Sequence, residues 1–275
     1  MSHHGPATRI RWGGCTDIGR SRKNNEDTFL ALRVSAQEVR YLGKTGSASL
    51  DKNDFIFAVS DGMGGAKAGE FASRIAVDRI TKLLPRSFLG SAQGFKRNYE
   101  DILPELLIQI HEEITWLGVL YEDCRGMGAT LSLCWVTPEW VYFGHVGDSR
   151  IYYLPQSGSF QQITHDHTHA GWLRRKGKIN EREERSHPNG HQLHQVLGGG
   201  LQTIEPQIGA INYEPGDRFL LCTDGLTAGH WDSALANYLR NTDFGNTRVA
   251  EDLVKQAVRI SGRDNTTAVL FEPGA

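Results

Sequence analysis

The residues best suited to chemistry are carboxylates in short acidic segments that lie far apart in the 275-residue chain. These segments are Asn25-Glu26-Asp27, Ser60-Asp61-Gly62, Thr223-Asp224-Gly225 and Arg263-Asp264-Asn265. Each adjoins a stretch whose residue pattern predicts a β-strand. If the carboxylates converge, cations must relieve their repulsion, and hard divalent ions are the usual partners of all-oxygen ligand sets. The pattern therefore favours metal-assisted phosphoryl chemistry.

Glu26 and Asp27 are neighbours, so on an extended strand their side chains point to opposite faces. Only one of them can then be a direct inward ligand, and the other is better suited to orienting ligand waters. Which residue has which role stays open at this point. Arg22 carries a planar guanidinium that suits a phosphate dianion. The alternative for this segment is a charged turn before a strand.

Glycines follow the second acidic segment, in Asp61-Gly62-Met63-Gly64-Gly65. They would let the backbone approach a ligand closely, so that the Asp61 carboxylate and the Gly62 carbonyl could hold one cation. The alternative is a glycine-rich connection between a strand and a helix. Asp224 and Asp264, taken singly, also fit ordinary turns.

Two further groups are candidates with open alternatives. Asp148 lies in Gly147-Asp148-Ser149-Arg150, which also fits the tip of a hairpin. Histidines cluster in the region 164–200, at positions 165, 167, 169, 187, 191 and 194. Such a cluster is compatible with a transition-metal site and also with a polar surface.

The candidate residues need a scaffold, and apolar runs predict strands at 27–34, 54–60, 129–136, 140–146, 150–154, 217–222 and 266–272. Helical periodicity predicts helices at 69–84, ended by Pro85, at 101–120 and near 248–261. The strands 140–146 and 150–154 predict a hairpin with a tight polar turn, which favours antiparallel sheet. Residues 35–53 predict a surface insertion, and 164–200 a long excursion over one end of the sheets.

Bulk properties exclude several classes of protein. With 30 basic and 32 acidic residues the formal net charge is −2, which indicates neither nucleic-acid binding nor a membrane surface. No apolar run is long enough to span a membrane and the first residues lack the apolar core of a signal peptide, so we expect a cytoplasmic protein. The four cysteines form no CxxC pair, which is typical of reduced thiols.

Motifs of other phosphoryl- and acyl-transfer enzymes are absent from the sequence. No cysteine is followed six positions later by arginine, and Gly43-Lys44-Thr45 lacks the upstream glycine of a P-loop. No GxSxG elbow occurs either. Metal-activated water is the strong nucleophile that remains.

Taken in order, the motifs resemble those of the metal-dependent protein phosphatase (PPM) family, the PP2C-type serine/threonine phosphatases, in its compact bacterial form. They are the RxxNED-like segment 22–27, DGMGG at 61–65, GMGAT at 126–130, GDSR at 147–150, THDH at 164–167, TDG at 223–225 and DNTT at 264–267. The resemblance covers residues 8 to 272 or so. Met63 stands where many eukaryotic members have a histidine, so no histidine at this position can assist the leaving group.

The resemblance implies an α+β fold, a four-layer α/β/β/α sandwich in which two antiparallel β-sheets pack face to face between helices. It implies one phosphatase domain over 8–273, preceded by a disordered segment 1–7. Residues 164–200, called the flap segment below, would form a subdomain that touches the peptide substrate. His165, Asp166 and His167 belong to this flap.

The resemblance also implies a centre of two Mn²⁺ or Mg²⁺ ions with a weaker third. By this resemblance Asp61 is a catalytic residue that bridges the two ions, Asp224 and Asp264 bind one ion, and Glu26 or Asp27 binds the other together with the Gly62 carbonyl. Asp148 and Asp224 would form the third site. Arg22 would be the catalytic arginine that binds the phosphate.

The implied activity is hydrolysis of phosphoserine and phosphothreonine in proteins by a metal-bridged hydroxide. The protein would act as a monomer and oppose a serine/threonine kinase in signalling. The alternative is a non-catalytic phosphoprotein-binding regulatory module on the same fold, which predicts missing ligands that this chain retains. A sandwich that binds Ca²⁺ for stability alone is a third reading, and it predicts metal-dependent melting without turnover.

Overall fold

A computed structural model describes residues 6–35, 37–92 and 99–275. Its strands are β1 (Arg9–Asp17), β2 (Asp27–Val34), β3 (Val39–Tyr41), β4 (Thr45–Ser49), β5 (Asp54–Met63), β6 (Gly128–Ala129), β7 (Leu131–Val136), β8 (Trp140–Val146), β9 (Arg150–Leu154), β10 (Gln161–Gln162), β11 (Leu197–Gly198), β12 (Gln207–Asn212), β13 (Arg218–Cys222) and β14 (Thr266–Gly274). Its helices are α1 (Ala66–Ala92), α2 (Tyr99–Leu120), α3 (His169–Arg175), α4 (Glu181–Arg185), α5 (Asp224–Gly229), α6 (Asp232–Asn241) and α7 (Val249–Ile260), with a 3₁₀ turn at Glu122–Cys124.

The strands form two antiparallel sheets. A six-stranded sheet has the order β10-β9-β13-β14-β1-β4. An eight-stranded sheet has the order β11-β6-β5-β7-β8-β12, with β2 paired to β5 and β3 to β2. The predicted α+β sandwich of two antiparallel sheets is confirmed.

Buried apolar side chains form three cores, one between the two sheets and one between each sheet and the helices that cover it. Between the sheets, Phe57, Phe219 and Phe271 are fully buried, and Phe271 stacks on each of the other two with ring centroids 4.8 Å apart. Helices α1 and α2 cover the outer face of the eight-stranded sheet, and α6 and α7 cover that of the six-stranded sheet. In α7 the buried residues Leu253, Val254 and Ala257 recur at helical spacing, so one face packs on the sheet. The result is the predicted four-layer arrangement.

The predicted hairpin of 140–146 and 150–154 is wrong, because β8 and β9 belong to different sheets. β8 pairs with β7 and β12, whereas β9 pairs with β13 and β10. The chain crosses from one sheet to the other at Gly147, whose φ is +109° and whose Cβ, if present, would lie 2.6 Å from Thr130 side-chain carbons. The crossover places Asp148 at the end of the sandwich instead of at a hairpin tip.

Residues 35–53 are not the predicted surface insertion, although residue 36 lies outside the described part of the chain. β4 extends the six-stranded sheet by pairing with β1, and Leu50 is fully buried between the sheets. β1 and β12 were not predicted as strands. The predicted helix end at Pro85 is also wrong, since α1 continues to Ala92; a proline removes one backbone donor and weakens a helix without always ending it.

The predicted disordered segment 1–7 overlaps the folded domain at its end. Residues 1–5 lie outside the described residues. Ala7 is buried and its N–H donates to the Pro138 carbonyl, so this residue belongs to the folded domain. The flap segment contains α3, α4 and β11. No described helix combines the length and the apolarity that a membrane span requires.

Candidate metal centre

Strand pairing brings the acidic segments to one end of the sandwich. Asp27 at the start of β2 stands opposite Asp61 near the end of β5 in the antiparallel register. In the other sheet, Asp224 follows the end of β13 and Asp264 precedes the start of β14, which are neighbouring antiparallel strands. Carboxylates from opposite ends of the chain, such as those of Asp27 and Asp264, are thus brought together.

A cavity of about 640 Å³ opens at this end. Its lining includes Arg22, Glu26, Asp61, Gly62, Thr130, Asp148, His191, Asp224, Asp264 and Asn265. Of the predicted ligands, only Asp27 is not part of the lining.

Glu26 and Asp27 point to different surroundings, as their adjacency predicts. Glu26 lines the cavity, whereas Asp27 is 6% exposed and its Oδ2 accepts 2.7 Å hydrogen bonds from the hydroxyls of Thr223 and Thr267. Its Oδ1 is buried and has no hydrogen-bond partner. Burial raises the pKa of Asp27 to about 7, an effect that the two threonines reduce. Glu26 is therefore the cavity-facing candidate, and Asp27 is a buried carboxylate behind it.

Asp61 is held by its backbone. Its N–H donates to Thr130 Oγ1 at 3.1 Å, and the Thr130 N–H donates to the Asp61 carbonyl at 2.8 Å. Burial first, and then the charges of Asp27 and Asp224, raise the pKa of Asp61 well above its usual range. The sequence motif 126–130 contains Thr130, but residue pattern alone did not indicate this bracing role.

Gly62 fits only as glycine. A Cβ on Gly62 would lie 1.9 Å from the Gly69 carbonyl oxygen in the first turns of α1. Its N–H donates to the Glu26 carbonyl at 3.2 Å. The missing side chain lets β5, the start of α1 and the Glu26 backbone meet at the cavity wall.

Asp264 and Asn265 join the two ends of the chain. Arg22 Nη2 donates to Asp264 Oδ2 at 2.7 Å, so the predicted phosphate-binding arginine is paired with a predicted metal ligand. Asn265, which sequence reasoning assigned no role, accepts the Glu26 N–H at 2.8 Å and donates to the carbonyls of Ile18 and Asn24. This amide fixes the loop that carries Arg22 and Glu26.

Asp148 lies near Asp224, as the third-site prediction requires. One ligand atom each of Asp148, Asp224 and His191 lie within 4.8 Å of one another. Burial, followed by the charge of Asp224, raises the pKa of Asp148 to about 8.

The three predicted flap residues support the Asp148 crossover and the base of the flap. Asp166 forms a buried ion pair with Arg150 at 2.6 Å. His167 accepts the Gly147 N–H at 3.1 Å, and the His165 carbonyl lies 3.1 Å from His145 Nε2. Burial lowers the pKa of His167 to about 3, so its ring is neutral near pH 7. The flap histidine beside the carboxylates is His191, which its sequence position did not distinguish from the others.

The donor set fits hard divalent cations. Glu26, Asp61, Asp148, Asp224 and Asp264 supply carboxylate oxygens to the cavity wall. Two carboxylate oxygens, Asp27 Oδ1 and Asp224 Oδ1, are buried without a hydrogen-bond partner. Buried anionic oxygens are costly unless a cation or donor compensates them. Oxygen ligands of this kind suit Mg²⁺ and Mn²⁺.

Comparison with known proteins gives a consistent set of matches. The family model described as Protein phosphatase 2C matches residues 44–270. The serine/threonine protein phosphatase PstP of Mycobacterium tuberculosis is 29% identical over 266 residues, 96% of this chain, but the chain spans only 45% of that relative's length. The serine/threonine phosphatase stp of Listeria monocytogenes is 29% identical over 94% of this chain and 93% of its own.

Solved structures show the same architecture. A serine/threonine phosphatase of S. agalactiae superposes with a TM-score of 0.79 at 27% identity, over 96% of this chain and 99% of that one. The catalytic domain of PstP in complex with two manganese ions gives 0.71 at 27% identity, over 97% and 99%.

Proposed function

Because the chain belongs to the protein phosphatase 2C family, we propose that it hydrolyses phosphoserine and phosphothreonine in proteins with the help of two Mn²⁺ or Mg²⁺ ions. The observation that carries this proposal is the cavity in which carboxylates from both sheets meet beside Arg22. The PstP catalytic domain with two manganese ions supports the choice of cofactor.

Different residues around the cavity would bind each of the two ions. These residues line the cavity: Asp61 would be shared by the two ions, Asp224 and Asp264 would hold one of them, and Glu26 with the Gly62 carbonyl would hold the other. When bound, two divalent ions would lower the pKa of a water to supply the nucleophile and would neutralise charge on the phosphate. Asp27 contributes its charge from behind the cavity wall, where Thr223 and Thr267 fix one oxygen.

Arg22 binds the phosphate of the substrate. Its side chain is half exposed at the cavity and already points toward Asp264, so the guanidinium is oriented before substrate arrives. A planar guanidinium can donate two hydrogen bonds to phosphate oxygens and favours the dianion. Exchange of the Asp264 contact for a phosphate contact would place the phosphoester over the carboxylate cluster.

The substrate is a phosphorylated protein, and the flap segment contributes to its selection. His191 and Leu193 of this segment line the cavity, so a bound peptide would contact them. We further propose that the protein is a cytoplasmic monomer that opposes a serine/threonine kinase in signalling. A weaker third ion would bind at Asp148 and Asp224.

The test compares hydrolysis of phosphothreonine, phosphoserine and phosphotyrosine forms of one peptide with Mn²⁺, with Mg²⁺ and with chelator. With metal we expect turnover of the phosphothreonine and phosphoserine peptides and not of the phosphotyrosine peptide, and with chelator we expect no turnover. The rate of hydrolysis by Asp264→Asn should be lower on the order of 10²- to 10³-fold, since an electrostatic group at the reacting centre is removed. Asp243→Asn, at an exposed loop position, is the matched control. Metal-independent turnover, or an Asp264→Asn variant as active as the control, would refute the proposal.

A further inference from the structure

The outer edge of β2 is open over the half of the strand that lies nearer the metal centre. On its inner side β2 pairs with β5 along its whole length. On its outer side β3 pairs with it only at Leu32, Arg33 and Val34. In the described part of the chain, no strand covers the outer side of residues 28–30. An uncovered strand edge offers backbone donors and acceptors to another chain.

Two hydrogen bonds show which backbone groups of β2 face this edge. The Gly62 N–H donates to the Glu26 carbonyl, so Glu26 and the even-numbered residues after it direct their backbone groups toward β5. The Leu42 N–H donates to the Ala31 carbonyl at 2.9 Å, so the odd-numbered residues direct theirs outward. The N–H and carbonyl of Phe29 and the N–H of Ala31 therefore point to the open edge.

The chain leaves the β2 edge after Leu42 and joins the other sheet. Trp12 Nε1 donates to the Gly43 carbonyl at 2.9 Å, and the Gly14 N–H donates to the Lys44 carbonyl at 2.6 Å. Both donors belong to β1, and the segment continues as β4 beside that strand. A cavity of about 410 Å³ lies where β3 would otherwise have continued along β2. It is lined by Thr28, Phe29, Leu30, Ala31, Tyr41, Leu42, Lys44, Arg74, Val77 and Asp78.

The lining of this cavity combines apolar side chains with basic ones. Among the residues that the structure describes, Lys44 has no ion-pair partner. Arg74 is 69% exposed and pairs with Glu70 one helical turn away, an exposed contact that contributes little energy. Asp78, the one acidic residue of the lining, already pairs with Lys82. The cavity therefore favours a segment that carries acidic and apolar side chains.

The same strand connects the open edge to the metal centre. Glu26 lines the metal cavity, and Thr28, two residues further on, lines the edge cavity. At about 3.4 Å per residue, Phe29 lies roughly 10 Å along the strand from Glu26. A chain whose phosphate is bound at the metal centre could reach this edge with residues that lie about three to six positions away from the phosphorylated one.

We propose that the open edge of β2 binds an extended acidic segment of the phosphoprotein substrate as an added strand. The backbone of the segment would pair with Phe29 and Ala31, an acidic side chain would face Lys44, and an apolar one would enter the cavity. An added strand antiparallel to β2, as β3 and β5 are, runs toward the metal centre, so the segment precedes the phosphorylated residue. This inference rests on the proposed function for the identity of the bound chain as the substrate.

Steady-state kinetics with three forms of one phosphothreonine peptide test the inference. The first form has no extension, the second carries Glu-Val-Glu-Val about four residues before the phosphothreonine, and the third carries Lys-Val-Lys-Val at the same place. We expect the acidic extension to raise kcat/KM of the wild type about 5- to 30-fold, mainly through KM, since backbone hydrogen bonds and an ion pair are gained. The same acidic extension with N-methylated backbone amides should bring no gain, because it cannot donate to the edge.

Charge reversal in Lys44→Glu should abolish the gain from the acidic extension and create one for the basic extension. Hydrolysis of the peptide without extension should stay at the wild-type rate, which shows that the variant is folded. Lys52→Glu, at an exposed turn, is the matched control and should keep the wild-type preference. No gain from the acidic extension in the wild type, or an equal gain in Lys44→Glu, would overturn the inference, whereas turnover of the unextended peptide would still support the proposed function.

Amide hydrogen exchange measured by NMR tests the edge without catalysis. With the unphosphorylated acidic peptide we expect slower exchange at Phe29 and Ala31, and no change at Leu30, whose N–H faces β5. If no peptide is hydrolysed, the proposed function fails, and these two amides decide on their own whether the edge binds the segment. Unchanged exchange at Phe29 and Ala31 with saturating peptide would overturn the added strand.

Discussion

Replacement of Asp27 by asparagine should change the pH dependence of stability in the metal-free protein. Asp27 is buried behind the cavity with one oxygen bound to two threonine hydroxyls and the other without a partner. Its pKa rises from 3.8 to about 7, chiefly through burial. An asparagine side chain would keep the shape and an acceptor for the threonines but would carry no charge.

The sign follows from proton binding in the two states. Between pH 4 and pH 7 or so the unfolded chain has lost the Asp27 proton while the folded protein retains it, so stability falls as pH rises through this window. The slope for one such group is about 1.4 kcal/mol per pH unit. From pH 5 to pH 8 the free energy of unfolding of the wild type should therefore fall by about 2 to 3 kcal/mol relative to that of Asp27→Asn.

Urea unfolding in chelator at pH 5, 6, 7 and 8 measures this difference. Asp51→Asn, at an exposed turn position, is the control and should follow the wild type at every pH. With saturating Mn²⁺ the advantage of Asp27→Asn should reverse, because the variant loses a charge that favours metal binding. A constant difference between Asp27→Asn and wild type from pH 5 to pH 8 would refute the reasoning that burial keeps this carboxylate protonated.

Three further substitutions have defined outcomes. Arg22→Ala should lower kcat/KM for a phosphothreonine peptide by about 10- to 100-fold in steady-state kinetics, because the guanidinium contributes about 1.5 to 3 kcal/mol to binding an anion. The kcat/KM of Arg22→Lys should lie between those of Arg22→Ala and the wild type. Thr130→Val removes the hydroxyl that accepts the Asp61 N–H and should cost about 1 to 3 kcal/mol in urea unfolding, whereas unchanged stability would contradict the bracing role. Arg150→Met leaves the buried carboxylate of Asp166 unpaired and should cost about 3 to 5 kcal/mol, read from the same unfolding curves, and a loss below about 1 kcal/mol would contradict it.

Residue pattern was sufficient for elements whose signal is local. The strands β2, β5, β8, β9, β13 and β14 and the amphipathic α7 lie close to their predicted positions, because alternating or helical apolar spacing reports directly on a buried face. Pattern was insufficient where pairing is between distant segments. β8 and β9 look like a hairpin, but β8 pairs with the preceding β7 and the distant β12, and β9 pairs with the distant β13. β1, which contains two glycines and three charged residues, carries no such local signal.

The convergence of the acidic residues could be predicted because their residue types and their places at strand ends are visible in the sequence. Their supports could not, since Thr130, Thr223 and Asn265 act through hydrogen bonds across 69 to 239 positions. Adjacency of Glu26 and Asp27 predicted opposite faces, yet only the folded structure shows that Asp27 is the buried one and Glu26 lines the cavity. His191 differs from the other flap histidines only through the fold.

Anomalous X-ray scattering at the manganese edge, from crystals grown with Mn²⁺, tests the central claim most directly. We expect two peaks about 3.5 to 4 Å apart in the cavity, with the Asp61 carboxylate between them, Asp224 and Asp264 on one side and Glu26 with the Gly62 carbonyl on the other. Crystals of Asp61→Asn should lose at least one of the two peaks. No peak among these residues, or a pair that does not involve Asp61, would contradict the account.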